Sequence, residues 1–142
     1  MLIGCHIISS NPMIIPAEMR NALSGPIFIT QGFEQNLILF SAEFFEQISN
    51  KFLQMSLTDP LVRMLSRLIM SSATRLEIGP TGEFNIPQNL KAYTQIQDTG
   101  ILVGQGVYCE LWSPEQWQLQ ELKLRDADAN SCRFNTYQLN IA

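Results

Sequence analysis

The stretch "ITQGFEQNLILFSAEFF" at residues 29–45 returns, altered but in order, as "ILVGQGVYCELWSPEQW" at residues 101–117. At this offset of 72 residues the paired positions keep their chemistry: Gly32 with Gly104, Leu39 with Leu111, Phe40 with Trp112, Ser41 with Ser113, Glu43 with Glu115 and Phe45 with Trp117. Upstream, "IIPAEMRNAL" (14–23) lies over "NIPQNLKAYT" (85–94) at an offset of 71, aligning Pro16 with Pro87 and Arg20 with Lys91. Self-similarity that preserves turn glycine, aromatic anchor and charge in sequence marks an internal repeat. The chain is one element written twice.

Each copy reads as strand, short helical turn, strand, strand, helix. "PIFITQG" and "GILVGQG" are β-rich runs ending at a turn glycine, and "NLILF" and "VYCELW" follow as return strands of two hairpins. A helix is expected to start at Ser41 and again at Ser113, where Ser-Pro-Glu-Gln supplies an N-cap, a proline at the first helical position and a capping-box glutamine. The first helix, 42–55, sets Phe44, Phe45, Ile48, Phe52 and Met55 on one face. A segment present once, "LTDPLVRMLSRLIMSSA" (57–73), opens with Asp59-Pro60 and spaces Leu61, Leu65, Leu68 and Ile69 helically. The organisation read from this is repeat 1 with its helix (1–55), a linking helix (56–73), repeat 2 with its helix (74–120) and a polar tail (121–142). The tail ends in a weak alternation of Tyr137, Leu139 and Ile141, and helix, added strand and disorder all stay open for it.

A half of about 45 residues buries too little apolar surface to fold alone. The fold class expected is therefore α+β, with the halves paired about a pseudo-twofold axis into one barrel and helices packed outside. The chain has 142 residues, of which 46% are hydrophobic and only 15% charged, so part of its surface is neutral or covered by another subunit. The net charge of −4 argues against broad, non-specific nucleic-acid binding and leaves room for a small basic face. No run of apolar residues is long enough for a membrane helix, and "MLIGCHIISS" has no signal-peptide pattern. Cys5, Cys109 and Cys132 are widely spaced, which fits reduced thiols better than a disulfide framework or a zinc knuckle. No metal or cofactor is expected.

The inventory for catalysis is poor. His6 is the only histidine, it neighbours Cys5 on a strand whose successive side chains face opposite ways, and no nucleophile elbow or Walker motif occurs. Gly104-Gln-Gly106 reads as a hairpin turn. Phe40, Trp112, Phe45 and Trp117 read as core or interface anchors rather than base-stacking platforms. Arg63 and Arg67 read as a solvated or subunit-contact face.

The blocks "TDPLVRMLSRLIMSSATRLEI", "IP", "LKAYTQI", "ILVGQG" and "ELWSPEQW" resemble the MraZ family of bacterial transcriptional regulators, over roughly residues 1–120. That resemblance implies two tandem AbrB-like repeats forming a double-split, swapped-hairpin β-barrel. It also implies ring-shaped homo-oligomers in the cytoplasm, associated with the nucleoid, that bind promoter direct repeats upstream of the division and cell-wall gene cluster. The family carries Asp-x-x-x-Arg just before each Ile-Pro, with the arginine side associated with DNA contact. Here those positions hold Gly79 and Glu83 in "GPTGEFNIP" (79–87), and Ile8 and Pro12 in "ISSNPMIIP" (8–16). Both segments look like hairpins, with Glu83 at the tip of one. The basic residues near the tips are Arg20 and Lys91, with Arg75 at the strand edge before the second tip; these three are the candidate DNA contacts. Surface ion pairs are their alternative use, for Arg75 with Glu77 or Glu83. The alternative function is a ring-forming interaction or scaffold module that keeps the fold without DNA.

Overall fold

The structure, a computed structural model, describes residues 1–137. The first copy comprises strands β1 (Cys5–Ser9) and β2 (Met13–Ile14), a single 3-10 turn (Ala17–Met19), the hairpin β3 (Pro26–Gln31) and β4 (Leu37–Ser41), and helix α1 (Ala42–Gln54). Helix α2 (Pro60–Ser72) follows. The second copy repeats the order as β5 (Thr74–Glu77), β6 (Glu83–Phe84), the short helix α3 (Gln88–Thr94), β7 (Thr99–Gly104), β8 (Cys109–Trp112) and α4 (Pro114–Leu124). A last helix, α5, covers Ala127–Thr136, so helix occupies most of the described tail; Leu139 and Ile141 lie outside the described residues.

Local chemistry accounts for the helix starts. The hydroxyl of Ser41 accepts from the Phe44 amide and that of Ser113 from the Gln116 amide, while Asp59 caps α2 through the Leu61 amide with Pro60 at its first turn. Each acceptor satisfies an amide that the first helical turn leaves free. The capping box at Ser113 is only half formed, because the Gln116 side chain donates to Gln35 instead.

Six strands form one antiparallel sheet in the order β1-β7-β8-β4-β3-β5, and β2 pairs with β6 in a separate ribbon. Exchanging every strand for its counterpart in the other copy reverses that order and leaves it unchanged. The registers locate the axis. Met13 lies opposite Phe84 and Ile38 opposite Glu110, each residue facing its own equivalent at the repeat offsets of 71 and 72. In an antiparallel ladder only a residue on a twofold axis can do that. The pseudo-twofold passes through both ladders.

This pairing corrects two expectations. The segments 8–16 and 79–87 are not hairpins: β1 bonds to β7, β5 to β3, and the tips meet each other as β2–β6. Secondly, Gly104 does not stand where Gly32 does. In the hairpin registers Phe28 faces Phe40 as Ile101 faces Trp112, and Gly104 takes the place of Gln31. The second hairpin loop is one residue shorter, and alternation forces the shift, since a one-residue slip would turn Ile101 and Leu102 to the wrong faces. Among the described residues the ladder ends at β1 and β5, so the observed pairing is an open six-stranded sheet facing a two-stranded ribbon.

The core fills the space between them. Ile27, Ile29, Leu37, Leu39, Leu102 and Leu111 point in from the sheet and meet Met13, Ile15, Phe84, Leu23 and Leu90 from the ribbon and the turns that follow it. The opposite face of the sheet carries aromatic rings under the helices. Phe28 stacks on Phe45 at 4.2 Å, and the repeat-related pairs Phe40–Phe45 and Trp112–Trp117 have centroids 6.0 and 5.7 Å apart. They act as packing anchors. On the same face Glu110 is half-buried and its carboxylate accepts from Asn36, Gln105 and Trp112; burial raises its pKa. Helix α2 is tied down at its end, where the buried Ser72 hydroxyl accepts from the Gln31 amide. Leu61 and Met55, expected on packed faces, are exposed.

Leu111 is fully buried beside the axis, and truncation to alanine should cost about 2–5 kcal/mol. A side chain at Gly104 would meet the Leu2 and Ile3 backbone at 2.5 Å, so Gly104→Ala should cost about 1–3 kcal/mol by displacing the N-terminal residues. Urea denaturation followed by far-UV circular dichroism measures both, and midpoints equal to wild type would contradict the described packing.

Candidate nucleic-acid interface

Arg20 and Lys91 follow Pro16 and Pro87 by four residues, Arg20 capping the end of the 3-10 turn and Lys91 within α3. The axis brings these equivalents to opposite ends of the β2–β6 ribbon, and each reaches towards the other copy's tip. Lys91 donates its Nζ to Asn11 Oδ1 at 3.0 Å. Arg20 donates its Nε to the Ile15 carbonyl at 2.9 Å and lies against Gly82, where an added Cβ would meet that nitrogen at 2.9 Å. Asn11 and Gly82 are themselves equivalents at the offset of 71, and both have left-handed backbones, with φ of 88° and 87°. The two tips differ in length, three residues (10–12) joining β1 to β2 and five (78–82) joining β5 to β6, yet they converge on one geometry where the basic residue arrives.

Each cation borders a cleft. Lys91 lies with Asn11, Gln88, Gln95 and Gln97 around an open cleft of about 520 Å³, and Arg20 with Ser24, Gly79 and Pro80 around one of about 270 Å³. A lysine amine carries three donors and a guanidinium five N–H groups, so the bonds described leave donors on both for an incoming acceptor. The side-chain amides beside Lys91 add hydrogen-bonding groups that suit phosphate oxygens or base edges.

The family model described as the MraZ protein matches residues 6–68, from β1 through most of α2. The regulator named "Transcriptional regulator MraZ" from Thermomicrobium roseum is 32% identical over 108 residues, 76% of this chain and 76% of its own length. Proteins of the same name from Roseiflexus castenholzii and Mycoplasma mobile are 31% identical over 118 residues and 34% over 110, covering 83% and 78% of this chain and 82% and 75% of their own. The chain belongs to the MraZ family. Its relatives carry the name of a regulator and not of an enzyme, in keeping with the poor catalytic inventory.

Within this MraZ chain the third candidate stands apart. Arg75 lies opposite Phe28 across the β5–β3 ladder, and cross-strand neighbours share a face, so it belongs to the aromatic, helix-bearing side. It forms an ion pair with Glu77 at 2.8 Å, with both side chains about three-fifths exposed (59% and 63%). Such a pair contributes little to stability.

Glu83 is no bare charge at a tip. Its carboxylate folds back over its own turn, accepting from the Thr81 amide at 3.0 Å and from the Thr81 hydroxyl. Gly79 makes this closure feasible, since a Cβ there would collide with the carboxylate. The Thr81 hydroxyl bond is the main cause that holds the Glu83 pKa below the usual glutamate value, with the Arg20 charge a smaller contribution. The sequence placed Arg20 and Lys91 near the tips, whereas their partners Asn11 and Gly82 were missed. The signal for those partners was present, because both fall at the same offset as the two cations.

No helix is long and apolar enough to cross a membrane among the described residues. The buried Cys109 thiol is pushed up to about 12 by its surroundings and is inert at neutral pH.

A carboxylate whose folded pKa is depressed supports structure above its unfolded pKa and loses that support as pH falls through the folded value. Amide exchange of Thr81, followed by NMR and corrected for intrinsic rates, should therefore show protection at neutral pH that fades below the usual glutamate range. Glu83→Gln should remove the pH dependence, and an unchanged profile in that variant would disconnect the carboxylate from the turn.

Proposed function

We propose that this protein is a DNA-binding transcriptional regulator. It works as a homo-oligomeric ring on repeated promoter elements of the division and cell-wall gene cluster, in the cytoplasm at the nucleoid. The observation that carries the reading is the placement of Arg20 and Lys91 at the two ends of one antiparallel ribbon, related by an axis that passes through it. A short β-ribbon flanked by cations fits a groove, with phosphates at its rims positioning the contact and amides nearer the ribbon meeting base edges. The regulator name carried by the relatives supports the same reading. The exchanged strands and mirrored order support the double-split barrel as the architecture that presents this ribbon. Arg75, spent on Glu77, contributes least to the proposed surface.

Two cations per chain on a body of net charge −4 give a weak single contact. Repetition around a ring multiplies weak contacts through effective concentration, so binding depends on the spacing of repeated elements. Each phosphate contact adds about 0.9 to the slope of log affinity against log salt.

Fluorescence anisotropy with a duplex from upstream of the protein's own gene, beside a scrambled duplex of equal length, tests this at about 50 and 200 mM salt, where phosphate-driven affinity changes most. Preferential, salt-weakened binding is expected. Arg20→Ala and Lys91→Ala should each weaken binding and lower the salt slope by about 0.9 for every phosphate that is no longer neutralised. Equal affinity for both duplexes would remove the proposal.

One observation favours the scaffold reading. The glutamate closing the 79–83 turn puts negative charge beside the ribbon where a phosphate would approach. On that reading the wild type shows no DNA affinity at physiological salt, and Glu83→Arg creates some. Tight wild-type binding that Glu83→Arg leaves unchanged would eliminate it.

A further inference from the structure

The pseudo-twofold sets equivalent residues at the two ends of the β2–β6 ribbon, and away from the two cations those ends differ in chemistry. The difference begins in chain length. In the first copy residues 24 and 25 join Leu23 to β3; in the second, residues 95–98 join Thr94, the equivalent of Leu23, to β7. The longer connection, Gln95-Ile96-Gln97-Asp98, is held at several points. Gln95 caps α3 with a left-handed φ of 60° and donates its amide to the Lys91 carbonyl at 2.9 Å. Ile96 is buried, its amide donating to the Thr94 hydroxyl, and the Asp98 carbonyl accepts from the Ser10 amide at 2.8 Å. With Ile96 driven inward, Gln95 and Gln97 on either side of it are exposed.

Gln88, Lys91 and Gln95 stand at helical spacing on α3, so this end gathers three glutamines and a lysine around the cleft that Asn11 and Asp98 also border. Gln95, Gln97 and Asp98 line a second cleft as well, of about 310 Å³, which Glu115 closes from α4. A phosphate offers acceptors only, so the carboxylates of Asp98 and Glu115 disfavour it on this side of Lys91. A base edge offers donors and acceptors together. An amide side chain presents N–H beside C=O and matches N7 and the N6 amino group of adenine in the major groove. At the other end Ala17 replaces Gln88 and Ser24 replaces Gln95 at the offset of 71. There Arg20 is bordered by Ser24, glycines and Pro80, and the nearby Glu83 carboxylate is held by Thr81.

We propose that the two ends divide the work: Gln95 and Gln97 read A·T base pairs at the Lys91 end, and the Arg20 end holds phosphates without reading sequence. This rests on the DNA-binding reading above and names the bases and the residues that select them. The element recognised by one chain is then unsymmetrical, constrained in sequence over one half, although the scaffold is nearly twofold. A connection fixed before DNA arrives loses little freedom on binding, which favours readout by its side chains.

Fluorescence anisotropy of the full chain tests this, with duplexes from upstream of its own gene in which each A·T pair is exchanged in turn for G·C. For wild type, exchange of a pair that is read should weaken binding by roughly 5- to 150-fold, the discrimination of one bidentate contact. The variant carrying Gln95→Gly and Gln97→Ala should bind original and exchanged duplexes alike, with the wild-type salt slope between about 50 and 200 mM. Both side chains are exposed and glycine accepts the positive φ, so circular dichroism should show the wild-type fold. Arg20→Ala should do the reverse, lowering the salt slope and keeping the discrimination. Wild type that binds no duplex would overturn the DNA-binding reading and this division with it. Binding without loss at any A·T pair, or with discrimination that survives in the double variant or vanishes in Arg20→Ala, would overturn the division and leave DNA binding standing.

Discussion

Neither copy of the repeat completes its own sheet. The first strand of each copy lends its backbone bonds to the other, β1 to β7 and β5 to β3, and β4 meets β8 across the axis. Every internal hydrophobic residue depends on that exchange, because the inner face of the six-stranded sheet exists only once both hairpins lie side by side. A copy released from its partner would expose unpaired edges and the leucine layer of Leu37, Leu39, Leu102 and Leu111 together. The constraint is non-local: strands from both halves are needed to complete the sheet and its inner face.

The exchange also builds the candidate interface. With β1 and β5 drawn to the opposite copy, the tips that follow them meet as the β2–β6 ribbon on the axis. The cations behind the tips then lie nearest to the partner copy, so Lys91 holds Asn11 and Arg20 lies beneath Gly82. The two left-handed positions receive the incoming side chain in the same way despite loops of different length. A tip sequence is therefore free to change between copies so long as that backbone conformation survives. Glu83, closing its turn through Thr81, is one such change: it keeps the loop shape by a bond internal to the turn.

Departures from symmetry are as informative as symmetry. Ile38 and Glu110 face each other as equivalents, one apolar and one a half-buried carboxylate satisfied by Asn36, Gln105 and Trp112. Arg75 and Ile7 flank equivalent positions with opposite chemistry. A duplicated chain keeps identical residues where the core demands them and diverges where a surface is needed only once. The exposed isoleucine edge at Ile7 is a divergence of that kind.

The duplication, the two hairpins, the helix starts at Ser41, Asp59 and Ser113, and the two equivalent cations were all legible in the residues. Those features depend on periodicity, turn chemistry and capping within a few residues, which local reading captures. That the tip segments pair with each other emerges only in the assembled fold, since both partners of each ladder look like ordinary strands in isolation. The one-residue shift at Gly104 is of the same kind, because only the cross-strand register shows which face Ile101 must take. The bonds from Lys91 to Asn11 and from Arg20 to Ile15, and the fold-back of Glu83, were likewise beyond the sequence reading. Family membership stood between the two levels: readable in the residue blocks, yet silent on how this chain arranges its own tips. A side chain's partner is set by where distant backbone arrives, and composition carries no record of that.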